Sequence, residues 1–343
     1  RLVAMVGPMG ILTSSSPFSP VRWFRNGHLQ TLGASLPLWT SLKAFAKGEE
    51  KILVPLDEGA LVARAWWRQE KEPRTAVILV HGVGGDVLSQ YVVRAAVAVH
   101  RAGMHAVRLN LRGAGEGIHT ASTLYHAGLT DDLRRTIELL EKNEKVKDIA
   151  VVGFSLGGNV TLKLAGEWGA AYPKSIRAMC AISPPLDLVS TGASLERRRS
   201  VPYRRYVLQR LVETGTTFAK LYPEKAKYDV SKLKKAKVIR DYDEIVVAPM
   251  HGFASARDYY TKQSSGPWLP KIQVPTLLVH AEDDPMIPPH TMKPSLAHAS
   301  PAVTVEWTKL GGHVGFFGAF TEEGFVQTWA MKRAIRFIKE QKG

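Results

Sequence analysis

Two hydrophobic patterns alternate along the middle of the chain. Runs rich in apolar, β-branched residues are typical of buried strands, and they span residues 75–82, 105–113, 148–155 and 176–183. Between these runs, apolar residues recur at the spacing of amphipathic helices over residues 89–103, 129–143 and 156–169. Strands that alternate with helices predict a mostly parallel central sheet with helices on both faces.

The flanking regions add further elements. Residues 51–56 and 61–67 predict two strands joined by a turn, and two more strands are predicted from residue 274 and over 303–310. Residues 322–341 predict a final helix with an apolar stripe. The residues on that stripe are Phe325, Trp329, Ala334 and Phe337.

The alternation stops between residues 184 and 270, where the chain is polar, basic and helix-like. We therefore expect a catalytic core at residues 51–183 and 271–343. A helical lid is expected to be inserted over the sheet at residues 184–270. Residues 1–50 are expected to form an N-terminal extension that packs on the core.

The formal net charge of +15 is concentrated in the inserted segment. Between residues 184 and 240, fourteen Lys and Arg stand against five Asp and Glu. The aromatic residues there, such as Tyr203 and Tyr206, follow no RNA-binding motif, so we expect no nucleic-acid partner. A solvated basic face is the simpler interpretation of the charge, and a weak contact with a membrane or lipid surface is the alternative.

The single cysteine, Cys180, excludes a disulfide within the chain and favours a reducing, cytoplasmic location. It lies in an apolar run, where a lone thiol usually serves as packing. No apolar run reaches the roughly 18–20 residues of a transmembrane helix. The first twenty residues resemble a signal peptide only weakly, because Gly7, Pro8 and Gly10 interrupt them.

A serine stands between glycines where a predicted strand meets a predicted helix. In Gly153-Phe-Ser155-Leu-Gly157, the small residues two positions before and after the serine permit a sharp turn. That turn displays the serine beside a helix N-terminus, where developing negative charge is stabilised. Ser155 is therefore the candidate nucleophile, and a glycine-rich turn that binds a phosphate is the alternative.

A serine nucleophile needs a base and an acid, in the chain order serine, acid, histidine. The strand that begins near residue 274 runs into three acids. Asp284 is the preferred candidate, with Glu282 and Asp283 as alternatives. A metal site built on His280 is disfavoured, because hard metals need more carboxylates at defined spacing. His313 follows the last strand in a glycine-rich loop and is the candidate base.

A tetrahedral acyl intermediate needs two backbone N–H donors for its oxyanion. Leu156, directly after the candidate nucleophile, is expected to supply one. Val83, in the stretch HGVGG that ends an earlier strand, is the expected second donor, since the glycines let the backbone approach closely. His81 in the same stretch is expected to make a structural contact.

Seven stretches spread over nearly the whole chain match those of a known family. They are FRNGHLQTL, HGVGG followed by SQYV, NLRGAGEG, GFSLGGN, DYDE with GFASARDYY, AEDDP and GGHVGF. The chain thus resembles the α/β-hydrolases, more narrowly the YheT-like and embryogenesis-associated-protein-like esterases. The resemblance implies Ser155 as nucleophile, Asp284 as acid, His313 as base, and Val83 and Leu156 as oxyanion donors. It also implies the hydrolysis of short- to medium-chain esters.

The sequence therefore predicts a serine carboxylesterase with a small-molecule ester as its partner and no cofactor. The alternative is an acyltransferase with the same triad, in which an alcohol takes the acyl group. Haloalkane dehalogenases and epoxide hydrolases are disfavoured, because they need an aspartate in place of Ser155. A binding protein on this fold is disfavoured, because all three triad residues are present. The patterns indicate no oligomeric state.

Overall fold

A mostly parallel sheet of eight strands forms the centre of the structure, a computed structural model that describes residues 18–36, 48–70, 72–320 and 326–341. The strands are β1 (Glu49–Pro55), β2 (Ala60–Trp66), β3 (Arg74–Val80), β4 (His105–Leu109), β5 (Val146–Phe154), β6 (Ile176–Ile182), β7 (Thr276–Ala281) and β8 (Val303–Thr308). Their spatial order is β1-β2-β4-β3-β5-β6-β7-β8. Only β1 with β2 and β2 with β4 pair in antiparallel fashion, and every other pair in this sheet is parallel.

Both faces of the sheet are packed, which explains the unbroken apolar runs in the sequence. Successive side chains of a strand point to opposite faces. In β3, Ile78 and Val80 belong to one hydrophobic core, whereas Val77 and Leu79 belong to the other. A run of consecutive apolar residues is therefore needed to satisfy the two cores at once.

Helices cover each face. They are α1 (Gly27–Ser35), α2 (Gln90–Arg101), α3 (Thr130–Glu141), α4 (Leu156–Trp168), α5 (Leu188–Leu195), α6 (Val201–Leu221), α7 (Val230–Leu233), α8 (Ile239–Tyr242), α9 (Ala248–His251), α10 (Ala256–Gln263), α11 (Lys293–Leu296) and α12 (Trp329–Glu340). Residues of α3 and α4 pack in one core, and residues of α1, α2 and α12 pack in the other. This arrangement is the predicted one.

Six helices, α5 to α10, occupy the chain between β6 and β7, where the alternating pattern of the sequence stops. A π-helical turn, Asp243–Val247, joins α8 to α9. The longest helix, α6, buries Val207, Leu211 and Phe218. Within the described residues, no helix combines the length and hydropathy that crossing a bilayer requires.

The structure corrects two predicted boundaries. β1 begins at Glu49, inside the predicted extension, because its pairing with β2 continues to Trp66. The final helix begins at Trp329 rather than at residue 322. Residues Val326–Thr328 instead form a strand, β10, which pairs with β9 (Phe317–Phe320). Residues 322–325, with the stripe position Phe325, lie outside the described residues.

The buried face of α12 includes Ala334 of the predicted stripe, and Trp329 and Phe337 are partly buried against the same core. Its buried residues are Ala330, Met331, Ala334 and Ile338. They recur at three- and four-residue spacing, so the helix is amphipathic as expected.

Candidate active site

Ser155 lies in a sharp turn between β5 and α4. Its backbone φ of 52° and ψ of −120° are strained for a residue with a side chain. The turn brings its neighbours close to other backbone. A Cβ on Gly157 would lie 2.4 Å from the Val80 carbonyl oxygen, and a Cβ on Gly153 would lie 2.3 Å from the Gly157 oxygen. Both positions therefore require glycine.

His313 connects the serine to an acid. Its Nε2 lies 2.9 Å from Ser155 Oγ, and its Nδ1 lies 2.8 Å from Asp284 Oδ2. The other carboxylate oxygen, Oδ1, accepts hydrogen bonds from the N–H groups of Met286 and Ile287 at 2.8 and 2.9 Å. These two bonds fix the carboxylate, so that it holds the imidazole of His313 in one orientation.

The protonation of this pair follows from its surroundings. Burial alone would raise the pKa of the Asp284 carboxyl, but the adjacent His313 outweighs it and brings the pKa below its ordinary value. An ionised carboxylate only accepts hydrogen bonds, so His313 Nδ1 carries the proton that it donates to Asp284. Nε2 of a neutral imidazole is then free to accept the Ser155 hydroxyl proton.

The three candidate acids differ in their contacts. Asp284 is the one that contacts His313. Asp283 instead accepts the Gly312 N–H at 2.8 Å, and Glu282 is exposed. His280 is buried, with Nε2 2.9 Å from the Ile287 carbonyl oxygen, and burial lowers its pKa to about 4. Among the described residues, no group of His, Cys, Asp and Glu side chains is placed to hold a metal ion.

Two tyrosines hold the loop that contains Val83. The Gly82 N–H donates to the Tyr91 hydroxyl at 2.8 Å, and the Gly84 N–H donates to the Tyr125 hydroxyl at 2.7 Å. The Val83 N–H between them donates no hydrogen bond within the described part of the chain. Tyr91 lies in the stretch SQYV, which carries the family resemblance, whereas no sequence pattern pointed to Tyr125, 41 residues from Gly84.

The two other residues predicted near this loop differ in their hydrogen bonding: within the part of the chain that the structure describes, the Leu156 N–H is free to bind a ligand, whereas the ring of His81 is already hydrogen-bonded. The Leu156 N–H, at the first position of α4, likewise donates no hydrogen bond to a described residue. Val83 and Leu156 both line the same pocket as Ser155. His81 is buried, and its Nδ1 donates to the Gly82 oxygen while its Nε2 accepts the Leu111 N–H. Both ring nitrogens of His81 are thus hydrogen-bonded to backbone groups.

The loop that carries His313 is held by helix α1. The His313 N–H donates to Thr31 Oγ1 at 2.9 Å, and the Phe317 N–H donates to Gln30 Oε1 at 2.7 Å. This support is needed because Val314 and Phe316 both have positive φ, at 55° and 47°. Gln30 and Thr31 lie in the stretch FRNGHLQTL, which the sequence analysis identified without assigning them a role.

His28 in the same stretch connects α1 to the segment between β6 and β7. Its Nδ1 lies 2.6 Å from the Tyr203 hydroxyl of α6, and the two rings are stacked. The contact joins the helix that supports the His313 loop to the longest helix of that segment.

A pocket of about 730 Å³ of empty space, part of it open to solvent, begins at Ser155 and His313. Its walls are mostly apolar and come largely from α5, α8 and α10, in the segment between β6 and β7. Four charged residues also line it: Glu196, Arg204, Arg240 and Asp243. The pocket is large enough for a small organic substrate.

Comparison with known proteins gives the same fold and family. The model of the alpha/beta hydrolase fold family matches residues 75–320. The putative esterase YheT of Escherichia coli strain K12 is 31% identical over 89% of this chain and 88% of its own length. The embryogenesis-associated protein EMB8 of Picea glauca is 24% identical over 96% of this chain and 73% of its own length.

Two further relatives extend the comparison. The monoacylglycerol lipase of Saccharomyces cerevisiae is 27% identical over 78% of this chain and 60% of its own length. A solved esterase of Pyrococcus furiosus superimposes with a TM-score of 0.56 at 19% identity, over 89% of this chain and 96% of the esterase. The predicted fold class and the predicted resemblance to YheT and EMB8 are confirmed. The chain belongs to the alpha/beta hydrolase fold family.

Proposed function

We propose that the protein is a serine carboxylesterase that cleaves short- to medium-chain carboxylic esters through an acyl-enzyme. The observation that carries the proposal is the hydrogen-bonded series Ser155–His313–Asp284, whose serine and histidine line an apolar pocket. A nucleophile, a base and an orienting acid in this order are suited to acyl transfer. The relatives named as esterase and monoacylglycerol lipase support an ester as substrate.

In the first half of the reaction, Ser155 Oγ attacks the ester carbonyl carbon while His313 Nε2 accepts the hydroxyl proton. The ionised Asp284 stabilises the imidazolium that forms. The tetrahedral intermediate then collapses, the bond to the alcohol oxygen breaks, and His313 returns its proton to the departing alcohol. The acyl group remains on Ser155.

In the second half, a water molecule takes the place of the alcohol. His313 accepts a proton from the water as it attacks the acyl carbon, and Ser155 leaves with that proton. In both tetrahedral intermediates the negative oxygen is bound by the Val83 and Leu156 N–H groups. Neither group donates to a described residue, which keeps both donors available, and each such donor is typically worth about 10²–10³-fold in rate.

The flanking regions have proposed roles in the same site. Residues 184–270 are the lid, because this segment supplies most of the residues that line the pocket. Residues 1–50 are an extension that packs on the core through α1, which contacts the His313 loop. The cytoplasmic location and the weak lipid-surface contact stay predictions.

A panel of p-nitrophenyl esters tests the proposed reaction. We expect the protein to hydrolyse the acetate, butyrate and octanoate readily and the palmitate slowly, because the pocket offers only about 730 Å³ of empty space. Release of p-nitrophenol, measured as kcat/KM for each ester, gives the acyl preference. Failure to cleave any of the four would contradict the esterase proposal.

The same assay distinguishes hydrolysis from the alternative of acyl transfer. Adding ethanol to the butyrate reaction offers a second acceptor for the acyl-enzyme. Butyric acid as the main product supports hydrolysis. Ethyl butyrate as the main product in dilute ethanol would assign the protein to the acyltransferases instead.

A substitution at Thr31 tests whether its hydroxyl positions His313. Thr31 Oγ1 accepts the His313 N–H and donates to the Gly27 oxygen at 2.6 Å. In Thr31→Val, which has nearly the same shape but no hydroxyl, we expect kcat on p-nitrophenyl butyrate to fall roughly 10-fold with KM little changed, because the histidine is displaced.

Thr31→Ser is the matched control, since serine retains the hydroxyl that accepts the His313 N–H. We expect its kcat to stay close to that of the unmodified protein. A valine variant as active as the serine variant would show that this hydrogen bond does not position the histidine. A loss in Thr31→Ser that Thr31→Val does not show would indicate that the methyl group, rather than the hydroxyl, matters.

A further inference from the structure

Arg210 of helix α6 reaches from the proposed lid to the loop that carries the Val83 N–H. We call this loop, residues 82–86, the Val83 loop. The Arg210 Nε donates to the Gly84 carbonyl oxygen, and its Nη2 lies 3.3 Å from Asp86 Oδ2. Within the described part of the chain, no other residue of the segment between β6 and β7 hydrogen-bonds to the Val83 loop.

The Val83 loop needs such contacts to keep a single conformation. Three of its five residues are glycine or follow one directly, and Gly84 has a positive φ of 68°. Glycine samples many backbone conformations, so the contacts around it must select one. From the core, Tyr91 and Tyr125 accept the N–H groups of Gly82 and Gly84. Arg210 holds the opposite side of the turn, the Gly84 carbonyl, from α6.

The position of Arg210 suits it to this task. The neighbouring α6 residues Val207 and Leu211 are buried, so the helix is anchored and the start of the Arg210 side chain is fixed. A Cβ on Gly84 would lie 3.5 Å from the Arg210 Cβ, so the loop packs directly on α6. The planar guanidinium presents several donors in a rigid fork, which allows it to contact two acceptors at once.

The exposure of Arg210 separates an effect on the loop from an effect on folding. Its side chain is 40% exposed, and that of its partner Asp86 is 19% exposed. Ion pairs that solvent can reach contribute little to stability. Removing the guanidinium is therefore expected to change the geometry of the Val83 loop while the fold is retained.

We propose that Arg210 is a positioning residue, which fixes the Val83 loop so that the Val83 N–H is directed at the oxyanion. This inference rests on the proposed esterase function. The oxyanion forms only along the reaction, so a displaced donor weakens the transition state and leaves the bound ester almost unaffected. Helix α6 would thus contribute to the rate of the reaction as well as to the lid.

The main test is Arg210→Met, which keeps an unbranched side chain but has no N–H donor. We expect kcat on p-nitrophenyl butyrate to fall about 10- to 100-fold, with KM little changed. Thermal unfolding of the variant checks that its fold is intact.

A pair of inhibitors tests whether the loss lies in the oxyanion site. In trifluoromethyl butyl ketone, Ser155 Oγ bonds to the carbonyl carbon, the serine proton passes to His313, and the ketone oxygen becomes an oxyanion. The alcohol obtained by reducing this ketone has a similar size but forms no oxyanion. In Arg210→Met we expect the inhibition constant of the ketone to rise roughly 10-fold and that of the alcohol to stay unchanged.

Two further variants complete the test. Arg210→Lys should show a smaller loss in the same direction, because an ammonium group is a point charge that lacks the fork needed for both acceptors. It gives the answer if Arg210→Met does not fold. Arg205→Met is the matched control, since it removes the same charge from an exposed position of α6 outside the pocket and should change neither kcat nor inhibition.

Full kcat in Arg210→Met, or in Arg210→Lys if the methionine variant does not fold, would overturn the positioning role. A loss of kcat without weaker ketone binding would overturn it too, as would an equal loss in Arg205→Met or equally weakened binding of ketone and alcohol. None of these results affects the esterase function. That function would instead be refuted if the unmodified protein neither cleaved p-nitrophenyl butyrate nor bound the ketone.

Discussion

Replacing Ser155 with alanine is expected to lower kcat for ester hydrolysis on the order of 10⁴- to 10⁶-fold. The variant keeps the pocket and the Val83 and Leu156 N–H groups but has no oxygen for the acyl group to bond to. Because Ser155 Oγ lies 2.9 Å from His313 Nε2, the hydroxyl is the group that this histidine can deprotonate. The comparison is made on p-nitrophenyl butyrate under single-turnover and steady-state conditions.

Ser175→Ala is the matched control for this experiment. Its hydroxyl contacts Glu141 at the surface, far from the pocket, so full activity is expected. A fluorophosphonate reagent gives a second readout, because it should add one mass label to the unmodified protein and none to Ser155→Ala. Hydrolysis that survives in the Ser155 variant would mean that another residue is the nucleophile.

Asp284→Asn is expected to lower kcat by about 10⁴-fold, the second largest effect. The amide of asparagine is able to donate a hydrogen bond to His313 Nδ1, which would leave the proton on Nε2 and block its action as a base. Asp284 also accepts the Met286 and Ile287 N–H groups, and the amide oxygen can keep those bonds. The loss should therefore appear in catalysis with the fold retained.

Glu282→Gln is the control, because Glu282 is an exposed acid two residues earlier. It should keep nearly full activity. If Glu282→Gln lost activity and Asp284→Asn did not, the acid would have been assigned to the wrong residue.

Asp284→Asn should also change how the free energy of unfolding depends on pH. The pKa of Asp284 is lower in the folded protein than its ordinary value of 3.8. A lowered pKa means that the ionised carboxylate stabilises the fold at pH values above 3.8, and that this contribution is lost as the pH falls through the folded-state pKa. The difference in unfolding free energy between the unmodified protein and Asp284→Asn should therefore shrink in acid.

Local patterns were sufficient for the sheet and for the turn at Ser155. β3, β5 and β6 are fully packed on two sides, so their apolar runs are continuous and unmistakable. Gly153 and Gly157 mark the turn because only glycine fits against the backbone there. Such features are determined by a few adjacent residues, and the sequence shows them directly.

Features that depend on contacts between residues far apart in the chain could not be predicted from the sequence. Nothing local distinguishes Val326–Thr328 from a helix, because their strand exists only through pairing with β9. The choice among three adjacent acids likewise depended on where β7 ends relative to His313.

Helix α1 has a consequence for how the protein is made. The hydrogen bond from His313 to Thr31 joins residues that are 282 positions apart in the chain. During synthesis, the N-terminal helix leaves the ribosome long before the loop that it supports has been translated. His313 thus gains this support only after the residues between α1 and its loop have been translated.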